Sequence, residues 1–348
     1  MPRSQPRAAA GMTLVELLVV VAILGLLAVT VLPNLAGADG EREVRNAAGV
    51  VSSQLSRGPS LAIEQRRSAG LWLEPLASNP WACIDLYSAV VPPAYRGDSF
   101  DAAFQVVPSA NNPLIADLTA SPPAAAASLQ PPGASVLGNF TQPGNLIQLG
   151  DSGPMFDIVF NGGGWKASLR TAAGQSPANT IWPAPPPAAH PFAIHRLPMR
   201  LGQPIVLGGG AAIDLYWSGM GNALFSQDTR YNAAGNASSP PRIALLCDSA
   251  GSFSELCFIA SLSGLQTARI PVTAPVYLLV GRLDRCGQAF QQTPTKQSPG
   301  ANWQSPDSFW IGIDPQSGIV KVTEVKPRAV SPLDSQEYIR AGLTAVRL

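Results

Sequence analysis

The chain has 348 residues, of which 13% are charged, and its 23 basic and 22 acidic residues give a formal net charge of +1. Globular proteins carry about 25% charged residues. The composition argues against a basic nucleic-acid-binding protein and against a chain that charge repulsion keeps unfolded. Two histidines and four cysteines also argue against an enzyme with several metal ions and against a small disulfide-dense protein. At roughly 150 residues per domain, the length predicts about two domains.

The first element in chain order is an apolar stretch at residues 13–32, in which Glu16 is the one charged residue. A helix of about 20 residues is roughly 30 Å long, which matches the hydrocarbon core of a bilayer. The residues before it include Arg3 and Arg7 and no acidic residue. This bias places the N-terminus in the cytoplasm and predicts that the chain after Leu32 is exported.

Two ordinary alternatives compete for this stretch, a secretory signal peptide and a plain single-span anchor. A signal peptide has an apolar region of about 7–15 residues and then a small-residue cleavage site. The stretch here is longer, although residues 33–38 resemble such a site. Neither alternative explains Glu16, because a carboxylate inside a membrane costs about 2.5–3.5 kcal/mol at the centre and marks a function. Such a buried carboxylate is tolerated when a positive partner reaches it.

Residues 11–16, with the sequence GMTLVE, and the apolar helix after them resemble the class III signal of type IV pilins and pseudopilins. The resemblance implies that a prepilin peptidase cleaves after Gly11 and methylates the new N-terminal amine of Met12, where most family members have Phe. It also implies that Glu16 accepts the amine of a neighbouring subunit during assembly, which would supply the positive partner. Pro33 falls where many family members have a helix-bending proline.

Residues 37–69 predict an amphipathic stalk helix. The glycines within residues 37–40 are expected to loosen the helical chain between the apolar stretch and the stalk helix. The charged residues within 41–45 are expected to face solvent. Gly58-Pro59 predicts an interruption, with a new helical segment starting at the proline. Four apolar residues recur at intervals of four, three and four, as on one face of a helix: Val44, Ala48, Val51 and Leu55.

The order of elements gives a second, looser resemblance. A long helix, a turn with Arg66-Arg67 and an aromatic first strand at residues 71–75 resemble the H-type minor pseudopilins of type II secretion and their relatives in pilus assembly. The alternative is a generic helix that packs on a sheet.

The chain after residue 70 reads as β-rich, with short apolar or alternating runs between turn residues. These runs lie at residues 104–107, 155–160, 205–207, 213–217, 242–247, 257–260 and 276–280. Pro/Ala-rich composition predicts surface loops at 121–133 and 183–191. Residues 309–322 predict a hairpin around a Pro- and Gly-containing turn, and residues 331–334 predict the start of a C-terminal helix.

The predicted fold class is therefore α+β and pilin-like, with a long N-terminal transmembrane and stalk helix followed by a β-rich, loop-rich globular head. Four regions are predicted: a leader at 1–11, a transmembrane helix at 12–36, the stalk helix at 37–69 and the exported head at 70–348.

One pentapeptide raises an enzymatic hypothesis. Residues 150–154, GDSGP, match the nucleophile segment of trypsin-like serine proteases, with Ser152 as the nucleophile. Those enzymes need a histidine base that an acid orients, and their histidine precedes the serine. Here His190 and His195 both follow Ser152 and lie among prolines. A glycine-rich turn before the strand at Met155 accounts for the pentapeptide without catalysis.

The four cysteines show no C-x-x-C spacing, which argues against a zinc site. An exported head would lie in an oxidising compartment, where disulfides persist. Cys247 and Cys257 flank a Gly/Ser turn and could pair across a hairpin, which would leave Cys83 with Cys286. The other two connectivities and buried free thiols stay open.

No phosphate-binding loop or EF-hand pattern is present in the sequence, so no cofactor is expected. Some pseudopilins bind calcium through loop oxygens, and Asp98 and Asp101 are the candidates that this resemblance leaves. Neither belongs to a recognisable metal motif.

The favoured hypothesis is a non-enzymatic, minor pilin or pseudopilin subunit that a prepilin peptidase processes. Its partners would be that peptidase, other pilin or pseudopilin subunits through helix packing, and membrane lipid. It would lie in the inner membrane as a single-pass protein, with a cytoplasmic N-terminus before cleavage and an exported head. The alternatives are a single-pass anchored ligand-binding protein and a serine hydrolase at Ser152. The sequence leaves open which machine the subunit would serve.

Overall fold

The computed structural model describes residues 14–112, 114–121, 144–151, 154–161, 164–169, 182–184, 186–228, 241–259, 267–292 and 300–345. This part of the chain contains a long N-terminal helix, a large antiparallel sheet, a closed β-barrel and two short C-terminal helices. The predicted leader and most of the predicted loop at 121–133 lie outside the described residues.

Helix α1 runs from Leu14 to Gln65, which is 52 residues and about 78 Å at 1.5 Å per residue. It continues through Gly58-Pro59, so the interruption predicted there is wrong. The physical reason for the glycine is close packing. A Cβ on Gly58 would lie 3.3 Å from Sγ of Cys247 and 3.4 Å from Cα of Gly70. The glycine thus lets the helix approach the sheet, and that packing holds the helix together across the proline.

Eleven strands of the described chain form the large sheet, with the path β14-β13-β12-β1-β2-β10-β15-β16-β17, while β9 pairs with β2 and β11 with β10. Every described pair in this sheet is antiparallel. Their bounds are β1 Ala69–Leu76, β2 Asn79–Val90, β9 Met199–Val206, β10 Ala211–Met220, β11 Ala223–Leu224, β12 Arg242–Cys247, β13 Phe253–Ile259, β14 Ala268–Pro271, β15 Val276–Arg282, β16 Phe309–Ile313 and β17 Val320–Glu324.

The main core lies between α1 and one face of this sheet. The predicted helical face is confirmed, because Val44, Ala48, Val51 and Leu55 are all buried in this core. The charged residues between Glu41 and Arg45 are exposed, as predicted. Apolar contacts of the stalk face therefore attach the head to the helix.

Two C-terminal helices, α2 (Pro332–Ser335) and α3 (Glu337–Thr344), follow the hairpin of β16 and β17. The predicted N-cap is confirmed, since the backbone N–H of Asp334 donates to Oγ of Ser331 at 3.1 Å. A second core contains Trp303 and Trp310 together with Ile339 and Leu343 of α3. The hairpin and the helix start were both readable from the sequence because turn and cap chemistry is local.

Six further strands close into a barrel in the order β3-β4-β7-β6-β5-β8. The barrel has its own core, whose buried aromatic side chains are those of Phe104, Phe156 and Phe192. The predicted loop at 183–191 is shorter than expected, because its last three residues belong to β8. The strand bounds are β3 Ala103–Pro108, β4 Ile115–Ser121, β5 Leu146–Leu149, β6 Met155–Asn161, β7 Gly164–Leu169 and β8 Ala189–His195.

The barrel is inserted between β2 and β9, at the end of the sheet where α1 ends. Val90 at the end of β2 pairs with Met199 at the start of β9. The next residue, Val91, donates its N–H to the carbonyl of Ser68 at 2.9 Å, just beyond the last residue of α1. The barrel therefore lies at the pole opposite the N-terminus of α1.

We expect the substitution Leu55→Ala to lower the free energy of unfolding by about 2–5 kcal/mol, because it removes a fully buried side chain and leaves a cavity. The matched control is Ile63→Ala in the same helix, where the side chain is 53% exposed; its loss should be below about 1 kcal/mol. Denaturant unfolding of the detergent-solubilised chain, followed by tryptophan fluorescence, measures both. Equal losses would contradict the packing of the stalk face on the sheet.

Candidate functional site

The N-terminal part of α1 exposes apolar side chains on all sides. Between Leu14 and Leu26, a stretch that we call the apolar segment, ten large apolar side chains are 41–80% exposed. Five of them are consecutive, from Leu17 to Val21, and therefore cover more than one full turn. Large exposed apolar surfaces mark contact with a membrane or with other proteins. The ten residues are Leu14, Val15, Leu17, Leu18, Val19, Val20, Val21, Ile23, Leu24 and Leu26.

The predicted processing and assembly residues lie within this segment or close to its ends. Glu16 and Pro33 are both residues of α1, in which the structure describes their main chain, whereas their side chains lie outside the described part. Gly11 and Met12 also lie outside the described residues. Within the part that the structure describes, no helix meets the length and hydropathy needed to cross a membrane.

The head contacts α1 from Gly40 onwards. Arg45 reaches Glu41 and Glu324, both at 3.3 Å. A Cβ on Gly209, whose φ is +67°, would lie 2.1 Å from the carboxyl carbon of Glu43. The turn below the helix therefore requires glycine at this position for space and for backbone conformation. Each exposed ion pair adds about 0–1 kcal/mol to the free energy of unfolding. These pairs therefore orient the helix more than they stabilise it.

The structure corrects the predicted disulfides, because all four cysteines are buried free thiols. In the ladder of β12 and β13, Cys247 lies opposite Phe253. Cys257 lies opposite Ala244, which precedes Cys247 by three residues. The two sulfur atoms lie on opposite faces of the sheet, one in the core under α1 and the other in a separate cluster. Burial raises the pKa of both thiols to about 12, which leaves them protonated and unreactive.

The second predicted pair, Cys83 with Cys286, is not formed either. Cys83 belongs to the core under α1, and Cys286 packs in a small cluster with Ala82 and Ala212. The thiol of Cys286 lies 3.5 Å from the carbonyl oxygen of Arg282. Burial raises the pKa of both thiols above the ordinary value.

The hydrolase hypothesis gains no geometry from the described residues, and Ser152 lies outside them. Both histidines lie in β8, where Nε2 of His190 is 2.9 Å from the carbonyl oxygen of Ala184. Nε2 of His195 is 3.4 Å from Oε1 of Gln148. Burial, and then the charges of two arginines, lower the pKa of His195. In the described chain, these contacts are made to neutral oxygens, whereas a triad orients its histidine with a carboxylate.

The calcium hypothesis also gains no support from the geometry. Asp98 and Asp101 are both exposed in the turn before β3. Among the residues that the structure describes, no three His, Cys, Asp or Glu side chains come together as a metal site would need.

The most perturbed carboxyl group of the head is Asp214 in β10, which is fully buried on the face away from α1. Backbone N–H groups of Tyr216 and Gly287 donate to Oδ1, each at 3.2 Å. The side-chain amide of Asn302 donates to Oδ2 at 2.9 Å. Burial raises the pKa of Asp214 to about 7, against the opposing effect of these donors. The group joins β10 to two loops and is enclosed by them, which indicates a structural role.

The sequence carries a signal for this buried carboxyl group. Asp214 interrupts an apolar run between Ile213 and Leu215, in the same way that Glu16 interrupts the N-terminal apolar stretch. An acid within an apolar run indicates a buried carboxyl group that needs partners. The partner Asn302 lies 88 residues away in the sequence, so its identity was not readable.

We expect Asp214 to make the stability of the head pH-dependent. Because folding raises its pKa from 3.8 to about 7, the folded chain keeps a proton that the unfolded chain has lost in this range. The free energy of unfolding should fall as the pH rises from about 4 to about 7, by up to about 4 kcal/mol from this group. The substitution Asp214→Asn should flatten that dependence, as denaturant titrations at several pH values would measure. A variant at the exposed Asp151, Asp151→Asn, is the control, and an unchanged slope in Asp214→Asn would contradict the assignment.

Comparison with known families gives one match, and it falls on the N-terminal site. The prokaryotic N-terminal methylation motif matches residues 6–32. No curated protein and no solved structure matches the chain. The matched residues include Gly11, Met12 and Glu16 and the whole of the apolar segment. The chain therefore carries a type IV pilin-like or pseudopilin signal, which indicates a membrane-associated, pilus-related protein that a prepilin peptidase processes.

Proposed function

We propose that this chain is a non-enzymatic, minor subunit of a type IV pilus or a type II secretion pseudopilus. After cleavage behind Gly11, α1 holds it in the inner membrane as a single-pass protein and then packs beside the helices of other subunits. The observation that carries the proposal is the coincidence of the methylation motif at residues 6–32 with the exposed apolar segment.

The energetics of the apolar segment support this proposal. Full burial of a large aliphatic side chain is worth about 1.5–3 kcal/mol, and ten such side chains are left exposed in the isolated chain. A helix satisfies its own backbone hydrogen bonds, so lipid can cover it without further polar partners. Neighbouring helices can cover the same surface by packing. One segment thus serves both as an anchor before assembly and as an interface after it.

In this proposal Glu16 sets the position of each subunit relative to the next one. Cleavage behind Gly11 creates an α-amine at Met12, and that amine on one chain pairs with the carboxylate of Glu16 on its neighbour. A charged pair that is removed from water is strongly destabilised when one partner is lost. Subunits would therefore be added only in the register that brings amine and carboxylate together.

The head supports a role at the surface of the assembly. The barrel lies at the pole opposite the N-terminus of α1, so it faces away from the membrane when α1 is anchored. The head extends from residue 70 onwards, and its described part contains four apolar clusters besides the helix interface, of which the barrel core and the core around Trp303 are the largest. A head of this size favours a minor subunit that decorates or ends a filament over one that repeats along it.

The first test is mass spectrometry of the N-terminus of the chain, isolated from the membrane of its own host. We expect a polypeptide that begins at Met12 and carries one methyl group on its α-amine. A start beyond residue 36 would contradict the proposal, because it would show ordinary signal-peptide cleavage and loss of the apolar segment.

The second test is the substitution Glu16→Leu, which removes the carboxylate and makes the segment more apolar. We expect membrane insertion to continue and incorporation into filaments to fall by at least about 10-fold, since a desolvated amine would lose its partner. The control is Glu41→Leu, the same substitution at an exposed position of the same helix. Quantitative immunoblots of membrane and filament fractions measure both variants. Normal incorporation of Glu16→Leu would favour the anchored ligand-binding alternative.

A further inference from the structure

The large sheet has strands whose outer edges have no neighbouring strand. In the described part of the chain, these are β9, β11, β14 and β17, whereas the barrel is closed and has no free edge. An open strand edge presents unpaired backbone donors and acceptors, and proteins usually block it to prevent unwanted pairing.

Three of these edges carry recognisable blocks. β11 has only two residues. β14 has four residues and ends on Pro271, which has no N–H group. β9 contains Pro204 and also Gly202, whose φ of +78° departs from strand geometry. Each feature shortens or interrupts the row of backbone groups that a partner strand would need.

The outer edge of β17 carries none of these features over its five residues, VKVTE. One backbone hydrogen bond lies at each end of the β16–β17 ladder. The N–H of Val325 donates to the carbonyl of Ser308, and the N–H of Asp314 donates to the carbonyl of Ile319. Along an antiparallel strand, residues whose backbone groups bond to the neighbouring strand alternate with residues whose backbone groups point to the other side. Three residues of β17 therefore turn their backbone groups outward: Val320, Val322 and Glu324.

This edge is accessible to a partner. The side chain of Val322 is 38% exposed, and that of Glu324 is 61% exposed. The ammonium group of Lys321 is held away from the edge, because it donates to the carbonyl of Gly342. Within the described residues, the edge therefore combines unpaired backbone groups with one apolar side chain, whereas the carboxylate of Glu324 is already paired with Arg45 at 3.3 Å.

We propose that an extended segment of a different subunit in the same assembly adds to the outer edge of β17 as a further strand. This inference rests on the proposed function, since it needs a second subunit beside this one. Backbone hydrogen bonds would supply the affinity, and alternate side chains would supply the specificity. The partner segment should place an apolar residue opposite Val322.

Orientation argues against a second copy of this chain as the occupant. Antiparallel pairing of β17 with β17 of another copy would invert one copy, so their α1 helices would point in opposite directions. Two copies anchored in one membrane have their helices in the same direction. A different chain avoids this obstacle.

Hydrogen exchange of the full-length chain tests this contact. Peptides that cover β17 should exchange at least about 10-fold more slowly in assembled filaments than in the detergent-solubilised chain. Peptides that cover β14 should exchange at the same rate in both states. If the chain is incorporated but β17 gains no protection, the inference is wrong and the proposed function stands. If the chain is not incorporated at all, both are wrong.

The substitution Val322→Pro tests the edge directly, because the N–H of Val322 points outward and takes no part in the β16–β17 ladder. We expect incorporation to fall by about 10-fold, whereas Val322→Thr, which keeps the N–H, should remain within twofold of the wild type. Unfolding curves of both variants check that the head is intact. Equal incorporation of the two folded variants would overturn the inference, and so would a disulfide-linked dimer of this chain formed by Val322→Cys.

Discussion

The structure depends on one constraint, which is that the apolar segment of α1 must leave water while the head remains in it. Among the described residues, the segment exposes apolar side chains on every side, and the contacts between helix and head begin at Gly40. No described part of the chain covers the segment, so lipid or other helices are expected to cover it. The methylation motif falls on the same residues and gives a biological reason for this arrangement.

The same helix changes its partner along its length, from an external one to its own head. From Val44 to Ala62, one face of α1 is buried against the large sheet. Gly58 permits the closest approach, and Gly209 makes room for the side chain of Glu43. Since one rigid element holds both regions, the position of the head follows from the position of the apolar segment. The barrel, inserted at the opposite pole, is then carried to the far end of the molecule.

Local patterns predicted much of this arrangement from the sequence. The spacing of Val44, Ala48, Val51 and Leu55, the turn before β17 and the cap at Ser331 all depend on residues close together in the chain. The barrel was not predictable, because its closure pairs Phe104 with His190, which are 86 residues apart in the sequence. The predicted Cys247–Cys257 disulfide was wrong for a different reason, since its two strands are adjacent in the chain and the error lay in their register. The short turn and the bulge after Leu246 set a register that no local pattern reveals, and this register places the two sulfur atoms on opposite faces.

The central claim is that lipid or neighbouring helices cover the apolar segment in the cell. Spin labels placed one at a time from Leu17 to Leu24, in the processed chain in membranes, test this claim most directly. The account predicts that all eight positions are accessible to dissolved oxygen or enclosed by neighbours, and that a water-soluble nickel reagent reaches none of them. Relaxation of any full helical turn by the nickel reagent would contradict it, because those side chains would then lie in water.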